Sequence, residues 1–241
     1  MSTILVTNVL AYAGPGAVSA LLAHGHHVVC HDPAFADEAR RQAFVAANPG
    51  ATSLTSTRPD DLVAEVIAAH GAIDGLVSND VHPNTPRAIE DIPLDELRAT
   101  FEAVLVVPFR LAQLVLAHMK PQRRGSMVFV TSARTLRPEA GFAVATTIRA
   151  GTTAFASALA RESAPFGIQV NAVAPNYLAS ELYYPRARFV EDRAGREAIA
   201  AVVPAGRLGE PEEIGELIAF LVSGKSRFTT GQTIYFTGGW P

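Results

Sequence analysis

Short apolar runs alternate with longer amphipathic segments along almost the whole chain, and this alternation restricts the fold more than any other feature. The apolar runs have the length of strands, and the segments between them have helical periodicity. Repeated strand–helix–strand units form right-handed crossovers, which place helices on both faces of one parallel sheet. The predicted fold is therefore α/β, a doubly wound Rossmann-like parallel sheet. No repeat, linker or low-complexity tract divides residues 1–241, so one domain is expected.

Seven strands and six helices are predicted. The strands are Ile4 to Thr7, His27 to His31, Thr52 to Leu54, Ile73 to Val77, Val128 to Thr131, Ile168 to Ala174 and Gln232 to Phe236. The helices are Gly16 to His24, Ala36 to Ala47, Asp60 to His70, Leu94 to Lys120, the segment that carries Arg149, and Pro211 to Val222. Because proline lacks a backbone N–H, Pro108 is expected to kink the long fourth helix.

Composition excludes several classes of function. Hydrophobic residues make up 49% of the chain and charged residues 18%, which allows a substantial core. The net charge of -3 and the lack of a large basic cluster argue against nucleic acid. Cys30 is the only cysteine and lies in an apolar strand pattern, so it is expected to be buried and unreactive, as suits a cytoplasmic protein. Neither a signal peptide nor an uncharged membrane span is predicted.

Ser132 and Arg149 form the first candidate polar pair. Ser132 follows the fifth strand, and ligands of open α/β sheets bind beyond the carboxyl ends of the strands. Arg149 lies between Ile148 and Ala150 on an apolar helix, which favours a buried role over a surface one. A serine at a strand end often only caps the next turn, but the spacing between Ser132 and Arg149 favours a functional site.

The loop after the first strand differs from a dinucleotide-binding loop. Such loops carry glycines that let a pyrophosphate approach the next helix. Here Asn8 stands at the first glycine position and Tyr12 at the second, while Gly14 remains. The phenol ring would occupy the space of the diphosphate, so no nicotinamide cofactor is expected. The alternative interpretation is an ordinary loop with a packed tyrosine. Without a nucleotide, Asp32 after the second strand is expected to be a helix N-cap or turn residue.

At these motifs the chain resembles the short-chain dehydrogenase/reductase superfamily along nearly its whole length. Arg149 stands where that family has the lysine of Tyr-x-x-x-Lys. Within the superfamily, the chain is similar to the cofactor-free halohydrin dehalogenases, whose signatures are T-x4-F/Y-x-G and S-x12-Y-x3-R. Thr7, Tyr12 and Gly14 match the first signature. Ser132 and Arg149 match the second at the correct spacing, but Ala145 replaces its tyrosine.

The resemblance implies conversion of vicinal haloalcohols to epoxides with release of halide. It also implies the reverse opening of epoxides by small anions such as azide, cyanide or nitrite. No metal or cofactor is expected; the partners are a small haloalcohol or epoxide and a halide, and a homotetramer is implied. Ser132 would hold the hydroxyl, Arg149 would lower the pKa of a tyrosine base, and Asp80 would orient the arginine. The implied halide-binding loop consists of Pro175, Asn176, Tyr177 and Leu178. Its hydrogen-bond donors would be the side-chain amide of Asn176 and the backbone N–H groups of Tyr177 and Leu178. The rings of Tyr12, Tyr183 and Tyr184 would form the walls of the halide site.

Ala145 leaves three alternatives open, because a methyl group neither gives nor takes a proton. The chain is an enzyme disabled by an engineered substitution, a natural variant in which water or another residue is the base, or a non-catalytic binder of halide or epoxide. The intact surroundings favour the first. An NAD(P)-dependent reductase is the remaining alternative, and it would need the glycine loop and the lysine that are absent here.

Overall fold

The computed structural model describes residues 2–83 and 85–240, in which seven strands form one sheet. The strands are β1 (Thr3–Val6), β2 (His27–Cys30), β3 (Ala51–Ser53), β4 (Gly75–Ser78), β5 (Gly125–Val130), β6 (Ile168–Pro175) and β7 (Thr233–Phe236). All neighbouring strands are parallel, and their order is β3-β2-β1-β4-β5-β6-β7. The direction of winding reverses between β1 and β4, so the loops after these strands open beside each other at the carboxyl edge.

Eight α-helices surround the sheet in this part of the chain. They are α1 (Gly14–Ala23), α2 (Glu38–Ala47), α3 (Pro59–His70), α4 (Leu94–Phe101), α5 (Val107–Gln122), α6 (Ala143–Ser163), α7 (Arg193–Ala200) and α8 (Pro211–Val222). Two one-turn π-helical segments, Glu102–Val106 and Ala187–Glu191, precede α5 and α7.

Two apolar layers, one on each face of the sheet, hold the helices. Because side chains alternate along a strand, Ile4 and Val6 face one layer and Leu5 faces the other. The first layer contains α1 and α8, and the second contains α3, α5 and α6. The doubly wound Rossmann-like fold predicted from the sequence is therefore confirmed.

The helix boundaries differ from prediction in places. The helix predicted from Ala36 is a short 3-10 turn, Pro33–Ala36, followed by α2. Asp32 is the N-cap of that turn, as predicted, and its side chain accepts hydrogen bonds from the N–H groups of Ala34 at 2.9 Å and Leu10 at 3.0 Å. The helix α7 was not predicted, because Gly195 in its interior lowers helix propensity. There an added Cβ would lie 1.8 Å from the Arg188 carbonyl oxygen, so close packing explains the glycine.

The long fourth predicted helix is interrupted next to Pro108 by the π-helical segment Glu102–Val106. A proline at 108 cannot donate to the Val104 carbonyl, its helical partner four residues earlier. Thr152 on α6 donates its hydroxyl to that carbonyl at 2.9 Å. The stretch Leu94–Gln122 has the length and composition of a membrane span, but α5 packs against α3 and α4 packs against α6, as helices of a globular α/β layer do.

Candidate active site

A pocket opens at the carboxyl edge of the sheet, where the loops after β1, β4, β5 and β6 meet. Its empty volume is about 620 Å³, part of which is open to solvent. Its lining is Tyr12, His82, Thr100, Val104, Thr131, Ser132, Arg134, Ala145, Thr146, Ile148, Arg149, Asn176, Tyr183 and Tyr184. The edge of the sheet that should hold a ligand therefore holds a small pocket.

Ser132 and Arg149, the predicted pair, both line this pocket. Ser132 follows β5 and also caps the next turn, since its Oγ accepts the Arg134 N–H at 3.2 Å. Arg149 is only 7% exposed, and its Nη1 donates to the Val130 carbonyl at 2.7 Å. This bond fixes the guanidinium against the end of β5, and its remaining N–H groups have no protein partner in the described chain. The pair thus supplies a hydroxyl and a fixed positive charge to one space.

Ala145 lies in the same wall, one helical turn before Arg149. Its methyl group offers no proton donor or acceptor to the pocket. Three buried polar atoms around the space, Thr131 Oγ1, Thr146 Oγ1 and Asn176 Nδ2, have no hydrogen-bond partner in the described residues. Buried polar groups without partners are costly, so these atoms are candidates for hydrogen bonds to a bound polar ligand.

Asp80 was expected to contact Arg149, and the structure corrects this expectation. Its carboxylate accepts from Asn8 Nδ2 at 2.9 Å and from the Ser78 hydroxyl. Asp80 does not line the pocket and forms no ion pair with Arg149 within the described residues. Burial raises the pKa of Asp80, whereas hydrogen bonds and the charge of Arg149 act in the opposite direction. Asp80 therefore anchors the loop after β1 and acts on Arg149 only at a distance.

Tyr12 reaches the pocket from the loop after β1. Tyr12 has a φ of 54° and Asn8 a φ of 50°, so both residues at the glycine positions keep the left-handed backbone that glycine favours. An added Cβ at Gly14 would lie 2.5 Å from the Asn8 carbonyl oxygen, which explains the glycine that remains. The Tyr12 ring packs edge-on against Tyr183 with centroids 5.1 Å apart. Burial raises the pKa of Tyr12 well above its ordinary value, so its phenol stays protonated.

The loop after β6 enters the pocket through one of its four predicted residues, Asn176. Asn176 is 5% exposed, and its Oδ1 accepts from the Tyr177 N–H at 3.0 Å and from the Tyr184 hydroxyl at 3.4 Å. The predicted role of the Tyr177 N–H as an open donor is therefore wrong, because the neighbouring amide oxygen occupies it. The Asn176 Nδ2 group is buried and has no hydrogen-bond partner among the described residues.

The other residues of this loop lie behind the pocket. Leu178 is fully buried in the first apolar layer, and Pro175 presents its carbonyl to the Tyr12 hydroxyl at 3.5 Å. The Tyr177 ring packs on Tyr184 and Trp240, each with centroids 5.4 Å apart. Of the predicted aromatic walls, Tyr12, Tyr183 and Tyr184 are all present in the lining. Burial raises the pKa of Tyr184 to about 12, so this wall is uncharged at neutral pH.

Half of the lining was not singled out from the sequence: His82, Thr100, Val104, Thr131, Arg134, Thr146 and Ile148. Thr131 directly follows β5, at the edge of the sheet where ligands bind, whereas His82 lies four residues after β4 and carried no signal in the sequence. Arg134 Nε donates to Glu139 Oε2 at 2.6 Å and its guanidinium lies 4.0 Å from the Phe142 ring centroid, which holds it at the rim. Thr100 and Val104 come from the α4–α5 region, which only the tertiary fold brings to the strand ends.

The chemistry of this lining is cationic and aromatic. Arg149 and Arg134 bring positive charge, Asn176 and the hydroxyl residues bring donors, and among residues 2–83 and 85–240 no carboxylate lines the space. Such a pocket can hold a small neutral molecule beside an anion, because cations and open N–H donors stabilise negative charge.

Comparisons with known proteins divide into reductases and dehalogenases. The family model described as enoyl-(acyl carrier protein) reductase matches residues 14–241. The 3-oxoacyl-(acyl-carrier-protein) reductase FabG of Salmonella typhimurium is 32% identical over 240 residues, which are 98% of this chain and 95% of that protein. The acetoacetyl-CoA reductase of Shinella zoogloeoides is 33% identical over 184 residues, 73% of this chain and 71% of that protein.

The similar solved structures include two dehalogenases. A structure described as a dehalogenation enzyme has a TM-score of 0.95 and 37% identity, covering 100% of this chain and 98% of that one. The halohydrin dehalogenase HheC, bound to ethyl (2S)-oxiran-2-ylacetate, has a TM-score of 0.96 and 34% identity, covering 100% and 97%. Matches of both kinds reach 98% of the chain or more, and the protein therefore belongs to the short-chain dehydrogenase/reductase family.

Proposed function

We propose that the protein is a halohydrin dehalogenase whose activity is impaired at one side chain. It converts vicinal haloalcohols to epoxides with release of halide, and it opens epoxides with small anions such as azide, cyanide or nitrite. The observation that carries the proposal is the joint position of Tyr12, Ser132, Arg149 and Asn176 in one pocket. The likeness to HheC, whose structure holds an epoxide, supports the same chemistry.

The pocket residues divide the reaction between them. Ser132 Oγ accepts from or donates to the substrate oxygen, because a hydroxyl does both. The fixed charge of Arg149 stabilises negative charge that develops on this oxygen as its proton leaves. The open Asn176 Nδ2 hydrogens receive the departing halide inside the aromatic wall. The alkoxide then forms the C–O bond as the neighbouring C–halogen bond breaks.

Proton removal is the weak step in this pocket. A phenol on the residue at 145 would stand one helical turn from Arg149, whose charge favours the phenolate. Ala145 provides no such group, so the rate is expected to fall by about 10²- to 10⁴-fold, the usual value of general-base assistance.

We also propose a homotetramer, since Leu94, Phe101 and Phe109 are exposed large apolar residues on α4 and α5.

Two other functions compete with this proposal. A non-catalytic halide or epoxide binder is favoured by Ala145 itself. A nicotinamide-dependent reductase is favoured by the reductase relatives, but Tyr12 fills the loop position where such enzymes need a small residue and Arg149 replaces the lysine.

The deciding experiment identifies the products of the Ala145→Tyr variant. Incubated with a vicinal bromoalcohol, it should yield epoxide and free bromide in equal amounts with no added cofactor. Bromide binding without epoxide would favour the binder, and NADPH-dependent turnover of a ketone instead would favour the reductase.

A further inference from the structure

Ala145 raises the question of which group accepts the proton when the chain acts unaided. The arginines in the lining remain protonated and cannot serve as bases. The phenols of Tyr12 and Tyr184 have pKa values raised by burial, and the Tyr183 hydroxyl donates to the His82 carbonyl at 3.4 Å. Among the described residues of the lining, one proton acceptor of suitable basicity remains, the imidazole of His82.

His82 lies four residues after β4 and lines the same pocket as Ser132, Ala145 and Arg149. Tyr183 fixes its backbone carbonyl, which ties the His82 segment to the aromatic wall. Burial lowers the pKa of His82, the charge of Glu96 on α4 raises it and the charge of Arg149 lowers it further. The neutral form of the imidazole is therefore favoured near pH 7, and a neutral imidazole carries one ring nitrogen that can accept a proton.

We propose that His82 is a catalytic residue, the general base that replaces the absent tyrosine in this chain. The inference rests on the proposed dehalogenase function. A ring nitrogen of His82 takes the proton of the substrate hydroxyl. The oxygen forms a bond to the neighbouring carbon as the carbon–halogen bond breaks and halide leaves with the electron pair. The imidazolium then releases the proton to solvent, and no oxidation or reduction occurs.

The test compares halide release by four proteins: the chain itself, His82→Gln, Ala145→Tyr, and the double variant. Glutamine keeps hydrogen-bonding capacity but cannot accept the proton. We expect His82→Gln to lower the rate of the chain on the order of tenfold or more, and the double variant to match Ala145→Tyr, because the phenol then serves as base. His118→Gln, which changes an exposed histidine on α5 outside the pocket, is the matched control and should leave the rate unchanged.

The pH profile gives an independent readout. The halide-release rate of the chain should rise with pH as the imidazolium of His82 loses its proton and then reach a plateau. Because burial lowers the pKa of His82, the midpoint of this rise should lie below about 6.5, the ordinary pKa of histidine. This ionisation should vanish in His82→Gln.

Three results would overturn the proposal. If the chain and His82→Gln release halide equally, or if the chain is inactive while Ala145→Tyr is active, His82 is not the base and the dehalogenase function stands. If neither the chain nor Ala145→Tyr releases halide, the proposed function fails and the role of His82 fails with it.

Discussion

Replacement of Asn176 with aspartate tests the anion site in the pocket without changing its shape. Aspartate keeps the oxygen that accepts from the Tyr177 N–H and the Tyr184 hydroxyl, so the loop after β6 retains its internal bonds. The substitution removes only the buried Nδ2 donor and puts a carboxylate oxygen in its place.

The expected loss of halide affinity has two parts. A hydrogen bond to a charged partner contributes about 1.5–3 kcal/mol. Repulsion between two unit charges about 4 Å apart costs about 4 kcal/mol at an effective dielectric constant of about 20. Together they predict that bromide binding weakens by about 10,000-fold or more when the carboxylate is ionised. Because burial raises the pKa of a carboxyl group, binding should partly return as the pH falls and the group becomes a neutral donor.

Tryptophan fluorescence provides the assay, since Trp240 is the only tryptophan and its ring packs edge-on to Tyr177, 5.4 Å between centroids. Bromide that occupies the site should quench this emission saturably in the parent chain at about pH 8. The Asn176→Asp variant should lose this saturable quenching at about pH 8 and regain some of it at about pH 5. The parent is measured at each pH, because protonation of His82 also attracts anions. Asn48→Asp, at the end of α2 and outside the pocket, is the matched control. Equal saturable quenching in Asn176→Asp at the higher pH would refute the anion site.

Two further predictions concern the cofactor and the long helix. NADH at millimolar concentration should give no saturable fluorescence change with this chain, because Tyr12 stands at a position where dinucleotide-binding loops carry glycine. Saturable binding would revive the reductase. Thr152→Val should lower stability by about 1–3 kcal/mol in thermal denaturation, because the Val104 carbonyl next to Pro108 loses its hydroxyl donor. Thr153→Val removes a hydroxyl bond to the Arg149 carbonyl within α6 and should cost less; equal losses would contradict the special role of Thr152.

The sequence was sufficient for the sheet because local signals determine it. Most strands are short apolar runs, and their alternation with helices predicts parallel crossovers, whereas the strand order β3-β2-β1-β4-β5-β6-β7 comes from the structure. The spacing of Ser132 and Arg149 likewise placed both in the pocket, since a strand end and the next helix are neighbours in this architecture.

Other parts of the site depend on contacts that no local pattern contains. The Tyr177 N–H is unavailable because the adjacent Asn176 side chain turns back onto it. Asp80 binds Asn8 rather than Arg149, which follows from the way the loops after β1 and β4 meet. His82 lies in a polar loop after β4, and it becomes a candidate base only because the fold places it in the same pocket as Ala145 and Arg149.

Halide release before and after Ala145→Tyr tests the central claim most directly. Alanine and tyrosine are both compatible with a helix, so α6 and the fold should survive the change. With one vicinal haloalcohol at one pH, the variant should release halide at least about 100-fold faster than the parent chain, the low end of general-base assistance. Negligible rates in both proteins, with bromide still bound, would contradict the account and leave a binding protein.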